Sequence, residues 1–315
     1  MSDNTSSRTD AWRLRGVLAP VLTPFNADLS PDSRRLARQC RWLLAHGCTA
    51  LAPFGTTSEA NSLSVDERAN LLDAILEEGV PADRLITGTG ACALTDAVRL
   101  TGQAVRRGCA GVLMLPPFYY KAVSEDGFFR FFSEVIERAG DARLKIYLYH
   151  FPPVAHVGFT LKLVERLLRA FPRTVVGMKD SSGDIAHTKS MLEAFAKDGF
   201  DVFVGSERFL LAGMRMGASG CISATANVNA AAIDRLYQAW KSPEAETLHT
   251  EVDALRGAVE KVPLIPGLKA IVAHFAADPR WVTVRPPFVD LTPAQRDTLL
   301  GDIAALKLAM PGLRD

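Results

Sequence analysis

A lysine at the end of an apolar run is the residue of this chain with the most specific chemistry. Residues 174–184 read TVVGMKDSSGD, and Val175, Val176 and Met178 precede Lys179 without alternating with polar residues. Such a run predicts a strand that is buried on both faces. Loss of water favours the neutral form of an amine, and a neutral amine can form a Schiff base with a carbonyl substrate. A lysine that reaches solvent or pairs with a carboxylate is the alternative that this residue alone leaves open.

Hydroxyl-bearing side chains follow several other apolar runs of the chain. Thr56 and Thr57 follow one run, Tyr120 follows a second and Tyr149 ends a third, and a fourth run carries Ile222-Ser223. The backbone N–H groups and hydroxyls of a threonine pair can bind a small carboxylate. Singly, such threonines are ordinary turn residues, and such tyrosines are ordinary half-buried packing residues. Their occurrence together at strand ends indicates one shared site.

The elements that must position these residues form a regular alternation of strands and helices. An alternating pattern predicts a parallel sheet, and eight strand–helix units in about 210 residues favour a (β/α)8 TIM barrel, whose sites lie at the C-terminal ends of the strands. A doubly wound open sheet is the competing architecture. The eight apolar runs are residues 16–25, 49–54, 84–89, 111–115, 145–149, 174–180, 200–205 and 220–224.

No linker-like segment divides the pattern, so the sequence predicts one domain over residues 13–315. The fold class is therefore α/β, with a C-terminal helical extension that begins at about residue 228. Residues 1–12 are polar at their start and lack the apolar core of a secretory signal. We expect them to form a disordered leader.

Composition excludes several classes of function. A net charge of +1 gives no reason to expect nucleic acid or an anionic membrane as partner. No apolar stretch approaches the roughly 18 residues of a membrane span. The five cysteines are scattered without a C-x-x-C pair, which favours reduced thiols and a cytoplasmic location. The six histidines show no metal-binding spacing, so we expect no bound metal.

Five motifs taken together resemble the dihydrodipicolinate synthase / N-acetylneuraminate lyase family. The resemblance extends from about residue 16 to about residue 306 and includes Val284-Arg285-Pro286-Pro287. Each motif alone is weak, whereas their order and spacing are specific. The motifs are Gly55-Thr56-Thr57-Ser58-Glu59, Tyr119-Tyr120, Tyr149-x-x-Pro152, Gly177-Met178-Lys179-Asp180-Ser181-Ser182-Gly183-Asp184 and Gly220-Cys221-Ile222-Ser223.

The resemblance implies a class I aldolase barrel that acts on pyruvate or a longer 2-oxo acid. Lys179 would form an imine with the keto group, so that no separate cofactor is needed. Thr56 and Thr57 would hold the carboxylate, and Tyr149 would transfer protons over the Schiff base. The protonated imine would serve as an electron sink for the enamine.

The resemblance also implies an oligomer. Tyr120 would complete a proton relay with Thr56 from across a dimer interface, and a homotetramer built from dimers is expected. Gly205 and Ile222 match positions that line the pyruvate pocket.

The chain departs from the family pattern at two places. Ser58 replaces a glycine, which is costly if the backbone there needs a positive φ. His156 stands where synthases place an arginine that binds the carboxylate of aspartate semialdehyde, and neutral imidazole cannot form that bidentate contact. We therefore expect another 2-oxo acid lyase with a less acidic or aromatic acceptor, contacted by His156 and favoured by Phe118 and Phe151. The synthase proper is the alternative.

Two further readings belong to other functional classes. Residues 88–93 read GTGACA, which matches the dinucleotide-binding pattern G-x-G-x-x-A, but the next strand ends in Leu115-Pro116-Pro117 rather than in an acidic residue. A barrel without catalytic activity could also use the same pocket to bind a 2-oxo acid. The presence of both Lys179 and Tyr149 argues against that second reading.

Overall fold

Eight parallel strands form a nearly closed barrel in a computed structural model that describes residues 13–314. Hydrogen-bonded neighbours follow the order β2-β1-β8-β7-β6-β5-β4-β3, and a parallel bridge between Leu51 and Leu85 connects the two remaining edges. The strands are β1 Gly16–Ala19, β2 Ala50–Leu51, β3 Ile86–Gly88, β4 Gly111–Met114, β5 Ile146–His150, β6 Val175–Asp180, β7 Asp201–Val204 and β8 Gly220–Ile222.

Helices follow the strands and surround the barrel. Several helices begin after a side chain that accepts a hydrogen bond from the first turn, such as Asp32 before α1 and a Ser64–Glu67 capping box at α2. The helices are α1 Ser33–Ala45, α2 Val65–Glu77, α3 Leu94–Arg106, α4 Glu125–Ala139, α5 Pro152–Ala155, α6 Leu161–Ala170, α7 Ile185–Phe195, α8 Leu210–Met216, α9 Ala226–Ala239, α10 Ala245–Val259, α11 Leu264–Ala276 and α12 Pro293–Ala305.

The predicted (β/α)8 barrel with a helical C-terminus is confirmed, and the doubly wound sheet is wrong. The strands are shorter than the apolar runs that predicted them, because several runs continue into irregular backbone; β1 ends at Ala19, before Pro20. The short helix α5 was not predicted. The expected leader at residues 1–12 lies outside the described residues, and the single domain over 13–315 stays a prediction. None of the described helices is long and apolar enough to cross a membrane.

Two apolar clusters hold the barrel together. The larger one lies between the strands and the helices, and the smaller one fills the interior of the barrel. Bulky side chains that point inward stabilise such an interior by removing apolar area from water. The interior cluster contains Leu14, Leu18, Ala50, Ala52, Ile86, Leu113, Tyr147, Tyr149, Val176, Phe203 and Ile222.

The pairing of β5 with β6 determines where the reactive side chains lie. Tyr149 is the register partner of Lys179, and His150 is the register partner of Asp180. Successive side chains of a strand point to opposite faces. Tyr149 and Lys179 therefore face the interior, whereas His150 and Asp180 face the surrounding helices.

Candidate active site

Lys179 and Tyr149 lie together at the C-terminal end of the barrel, on the wall of a cavity of about 590 Å³. Lys179 is 5% exposed, and its Nζ lies 4.4 Å from the centre of the Tyr149 ring. Within residues 13–314, Nζ has no hydrogen bond or ion pair, so the amine is surrounded by protein but faces the cavity. Such an amine can approach a carbonyl carbon without first leaving a carboxylate partner.

Thr56 and Thr57 line the same cavity from the loop after β2. Thr56 Oγ1 lies 3.3 Å from Tyr149 Oη, within hydrogen-bond distance. Phe54 and Glu59, on either side of the threonines, have positive φ angles of 62° and 56°. A bulky residue rarely adopts such a backbone conformation, and strained backbone of this kind is frequent at functional sites.

Ser58 does not have the positive φ that the family glycine suggested. The left-handed position is the next residue, Glu59. Ser58 is fully buried, and its carbonyl oxygen accepts a hydrogen bond of 2.7 Å from Thr23 Oγ1. Serine is therefore tolerated here without backbone strain.

Gly205 lines the cavity at the end of β7, where the chain approaches its neighbour closely. A Cβ atom at this position would lie 2.0 Å from Ser181 Oγ and 2.8 Å from the Asp180 carbonyl oxygen. A side chain would therefore push apart the ends of the two strands that carry Lys179 and Gly205. Only glycine fits without a shift.

The outer part of the cavity is mostly apolar. Phe151 stacks on Tyr149, with ring centres 5.6 Å apart and an interplanar angle of 21°. Phe209 and Phe288 line the same cavity. The other apolar residues of the lining are Val154, Ala224, Pro263, Leu264, Ile265 and Pro266.

Two arginines line the outer cavity, and carboxylates bind both of them. Arg256 lies 2.7 Å from Glu260 and 3.4 Å from Glu207, which is fully buried. Arg208 lies 2.6 Å from Asp253 and 3.1 Å from Glu260. Two positive charges are therefore surrounded by three negative ones.

Behind β5 and β6, on the side away from the cavity, two histidines stack with ring centres 4.0 Å apart. His150 Nδ1 accepts a hydrogen bond from the Phe159 N–H at 2.9 Å, so this ring is neutral. His187 faces an acceptor at both nitrogens, namely Asp180 Oδ2 at 2.8 Å and the Phe159 carbonyl at 3.3 Å. The stacked rings thus play opposite roles, one as acceptor and one as double donor.

The pKa values follow these contacts. Burial, together with the neighbouring His187, lowers the pKa of His150 to about 4. Burial would lower the pKa of His187, but the hydrogen bond and charge of Asp180, together with the Phe159 carbonyl and the charge of Asp184, outweigh burial and raise it. Burial would raise the pKa of Asp180, but hydrogen bonds from His187 and Ser182 outweigh burial and lower it to about 2.

Among the residues that the structure describes, His150, Asp180 and His187 are spaced closely enough to suit a metal ion. Their potential ligand atoms lie within 4.8 Å of one another. Since hydrogen bonds within the protein already engage Nδ1 of both histidines and the Asp180 carboxylate, the arrangement is explained without a ligand. The absence of a metal stays a prediction.

A second lysine, which the sequence analysis missed, is buried near the site. Lys269 in α11 is 0% exposed and forms an ion pair with Glu59. Its Nζ also donates to the Thr283 carbonyl at 2.9 Å, and the Arg285 N–H donates to Glu59 at 3.0 Å. Burial lowers the pKa of Lys269 to about 8. A single lysine within the apolar run of α11 was the available signal.

The structure brings together five of the eight predicted site residues. Lys179, Tyr149, Thr56, Thr57 and Gly205 line one cavity, and their proposed roles stay predictions.

The other three predicted site residues do not line this cavity. Ile222 is fully buried in the interior cluster, and Tyr120 is 72% exposed. His156 is exposed at the end of α5 with a φ of 55°. A contact of His156 with substrate therefore has no support in this geometry, although it stays untested.

Sequence reasoning also missed most of the outer wall. Of the two phenylalanines expected to favour the acceptor, Phe151 lines the cavity, whereas Phe118 packs against the helical core. Phe209 lies after β7 in a segment that carries no motif, and Phe288 lies before α12, outside the motif that ends at Pro287. The position of Phe288 directly after Pro286-Pro287 was the one signal available.

The glycines of the G-x-G-x-x-A match have a packing role. A Cβ at Gly88 would lie 2.1 Å from the Phe54 carbonyl oxygen, and one at Gly90 would lie 2.6 Å from the Leu115 nitrogen. Arg68 donates to the Gly88 carbonyl at 2.6 Å. Protein backbone occupies the space that a pyrophosphate would need, so the dinucleotide alternative has no support here.

Comparison with known proteins gives a consistent result. The sequence model of the Dihydrodipicolinate synthetase family matches residues 13–306. A DapA-like lyase of Chloroflexus aurantiacus is 30% identical over 280 residues, which cover 88% of this chain and 92% of the relative. A 4-hydroxy-tetrahydrodipicolinate synthase of Thermus thermophilus is 34% identical over 213 residues, or 68% of this chain and 69% of the relative.

Solved structures agree with these relatives. Dihydrodipicolinate synthase from Agrobacterium tumefaciens aligns with a TM-score of 0.85 and 32% identity, covering 92% of this chain and 99% of that one. YagE, a prophage protein of the dihydrodipicolinic acid synthase family from E. coli K12, was solved in complex with pyruvate. YagE aligns with a TM-score of 0.84 and 26% identity, covering 94% of this chain and 99% of that one.

Proposed function

The chain belongs to the dihydrodipicolinate synthetase family of class I aldolase-type lyases, and from this membership we propose that it forms a Schiff base between Lys179 and a 2-oxo acid. The substrate is pyruvate or a longer 2-oxo acid, and the reaction makes or breaks a carbon–carbon bond next to the imine. Two other reactions could proceed through the same enamine. One is dehydration, in which a carbon–oxygen bond breaks, and the other is deamination. The observation that supports this proposal best is the Lys179 amine, which faces the cavity without a carboxylate partner and lies 4.4 Å from the Tyr149 ring.

The proposed chemistry begins with attack of Lys179 Nζ on the keto carbon, followed by loss of water to give the imine. Thr56 and Thr57 hold the substrate carboxylate through N–H and hydroxyl groups. The protonated imine withdraws electrons from the adjacent carbon, so that a proton or an aldehyde can leave and an enamine forms. No further cofactor takes part.

Tyr149 transfers protons in these steps. Its hydroxyl lies 3.3 Å from Thr56 Oγ1, so a proton can pass between the two groups. We propose that Tyr120 of a second copy of the chain extends this relay. Gly205 keeps the strand ends close enough to hold the geometry, and Ile222 supports the pocket from the interior cluster.

Reductive trapping tests the proposal directly. The protein is incubated with pyruvate and borohydride, digested, and analysed by mass spectrometry. We expect a reduced pyruvate adduct on the peptide that contains Lys179 and no adduct in a Lys179→Ala variant. A wild-type protein without an adduct would overturn the proposal, and so would an adduct that forms equally in the variant.

The synthase proper is the second candidate function. Relatives named 4-hydroxy-tetrahydrodipicolinate synthase, such as the one from Thermus thermophilus, favour it. An assay of pyruvate condensation with aspartate semialdehyde decides between the two. We expect slow turnover, because both arginines of the outer cavity are already paired with carboxylates.

We also propose that the protein is a homo-oligomer in solution, a dimer or a tetramer of dimers. Tyr119 and Tyr120 are each 72% exposed and lie in edge-to-face contact, which is a large aromatic surface to leave in water. Sedimentation of the wild type and of a Tyr120→Ala variant tests this.

A cytoplasmic location is proposed as well, supported by five cysteines that are all free thiols.

A further inference from the structure

The cavity is larger than the proposed imine chemistry of pyruvate needs. Its volume of about 590 Å³ falls within the range of about 300–1,000 Å³ that is typical of sites for drug-sized molecules. The pyruvate half occupies the end with Lys179, Thr56 and Thr57. The remaining space lies toward α8, α11 and the segment before α12, and its lining selects the other half of the substrate.

Four aromatic side chains line the cavity and together are called its aromatic wall: Tyr149, Phe151, Phe209 and Phe288. The Tyr149 ring lies 4.4 Å from Lys179 Nζ, and the Phe151 ring stacks on Tyr149 at 5.6 Å. Phe209 and Phe288 are both half-buried and line the cavity beyond. Half-buried phenylalanines that line a cavity offer faces and edges to an aromatic ligand.

The charges of this wall do not suit an anionic group. Besides Lys179, the cations of the lining are Arg208 and Arg256. Asp253, Glu207 and Glu260 lie within 2.6–3.4 Å of these two guanidinium groups. A second carboxylate on the substrate would approach guanidinium groups whose charge is already balanced, and it would also face the three carboxylates that pair with them.

We propose that the aldehyde half of the substrate is an uncharged aromatic group, which binds between Phe151, Phe209 and Phe288. This inference rests on the proposed imine chemistry and adds the substrate class. In the condensation direction, the enamine carbon of pyruvate attacks the aldehyde carbon, and the aldehyde oxygen takes up a proton. Water then hydrolyses the imine and releases a 4-aryl-4-hydroxy-2-oxo acid. The water molecule consumed in this hydrolysis balances the one released when the imine formed, and no oxidant or reductant is needed.

Acceptor competition on the wild-type protein tests the inference. Pyruvate is held at saturation, and kcat/KM is measured for benzaldehyde, aspartate semialdehyde and glyceraldehyde. We expect benzaldehyde to exceed each of the other two by at least about tenfold, because only its ring gains from burial against the wall. A preference for aspartate semialdehyde or glyceraldehyde would overturn the inference, as would equal values for all three.

Variants of the wall give a second measurement. Phe209→Leu and Phe288→Leu remove a ring but keep the site apolar, so we expect kcat/KM for benzaldehyde to fall about 3- to 10-fold in each. The value for glyceraldehyde should fall by a smaller factor than the value for benzaldehyde, because glyceraldehyde has no ring to lose contact with the wall. Phe131→Leu is the matched control, since Phe131 is half-buried in α4 outside the cavity. Equal losses in all three variants would contradict a specific aromatic site.

Failure of this inference differs from failure of the proposed function. Borohydride trapping of pyruvate on Lys179 depends only on the imine. An adduct together with a polar acceptor preference would overturn the aromatic substrate and leave the lyase in place. Loss of the adduct itself would overturn both.

Discussion

Lys179 and Lys269 are both buried lysines, but they lie in regions with different chemistry. Lys179 ends β6, faces a cavity and has an aromatic ring rather than a carboxylate as its neighbour. Lys269 lies within α11, where Glu59 and the Thr283 carbonyl occupy its ammonium group. Burial alone therefore does not distinguish a lysine that could react with a ligand from one that is held in an ion pair. The partner of the amine and its access to a cavity make that distinction.

The largest expected effect is on catalysis at Lys179. Replacement of Lys179 by Met keeps an unbranched chain but removes the nucleophile, and lyase activity should fall by at least about 10⁴-fold. Thermal unfolding should change little, because the amine has no ion pair to lose. Activity assays and circular dichroism measure the two quantities. Activity within about tenfold of the wild type would show that another group carries the chemistry.

Tyr149 should have the next largest effect. Tyr149→Phe removes the hydroxyl near Thr56 and keeps the ring beside Lys179. Because proton transfer contributes about 10²- to 10⁴-fold, turnover should fall by that order. Borohydride should still trap pyruvate on Lys179 when exposure is long. A Tyr149→Phe variant with normal turnover would remove Tyr149 from the mechanism.

At Lys269 the expected loss is one of stability. Lys269→Met leaves the Glu59 carboxylate buried without its cation, so the free energy of unfolding should fall by about 3–5 kcal/mol. Urea denaturation measures this change. The double variant with Glu59→Gln should recover part of the loss, since no unpaired charge then remains. Suppose instead that the Lys269→Met variant were as stable as the wild type and that borohydride trapped no pyruvate on it. Lys269 would then be the reactive lysine, and the distinction drawn here would be wrong.

The smallest effect concerns the histidines behind the Lys179 strand. The folded pKa of His150, about 4, lies below its ordinary value of 6.5, so the unfolded chain binds this proton first as the pH falls. The contribution of His150 is fully present above about pH 6.5 and is lost toward pH 4, by about 1–3 kcal/mol. The raised pKa of His187 acts in the other direction, and its contribution is lost as the pH rises above that pKa.

Urea denaturation across pH 4–7 tests this. His150→Asn keeps an acceptor for the Phe159 N–H but cannot titrate, so its unfolding free energy should fall less than that of the wild type between pH 6.5 and 4. His156→Asn is the matched control, because His156 is exposed and asparagine tolerates its positive φ. Parallel curves for the wild type and His150→Asn would contradict the assignment of His150.

Much of the architecture could be predicted from the sequence because local rules decide it. Apolar runs that do not alternate predicted eight buried strands, and each lies at its expected place, with β6 at Val175–Asp180 and β8 at Gly220–Ile222. The motifs around Lys179, Tyr149 and Thr56 indicated one rim, since the C-terminal ends of parallel strands meet there. These signals are local or family-specific, so one sequence was enough to detect them.

Only the tertiary structure decided the contacts between distant segments. Phe209 and Phe288 are 79 residues apart in sequence and line one cavity; neither lies in a motif that predicts this. Glu59 follows the threonines in the motif of residues 55–59, yet its carboxylate forms an ion pair with Lys269 of α11. The sequence determined which residues could react. The closing of the barrel determined which of them have a partner and which face the cavity, because burial and charge pairing depend on residues that the chain brings together only when it folds.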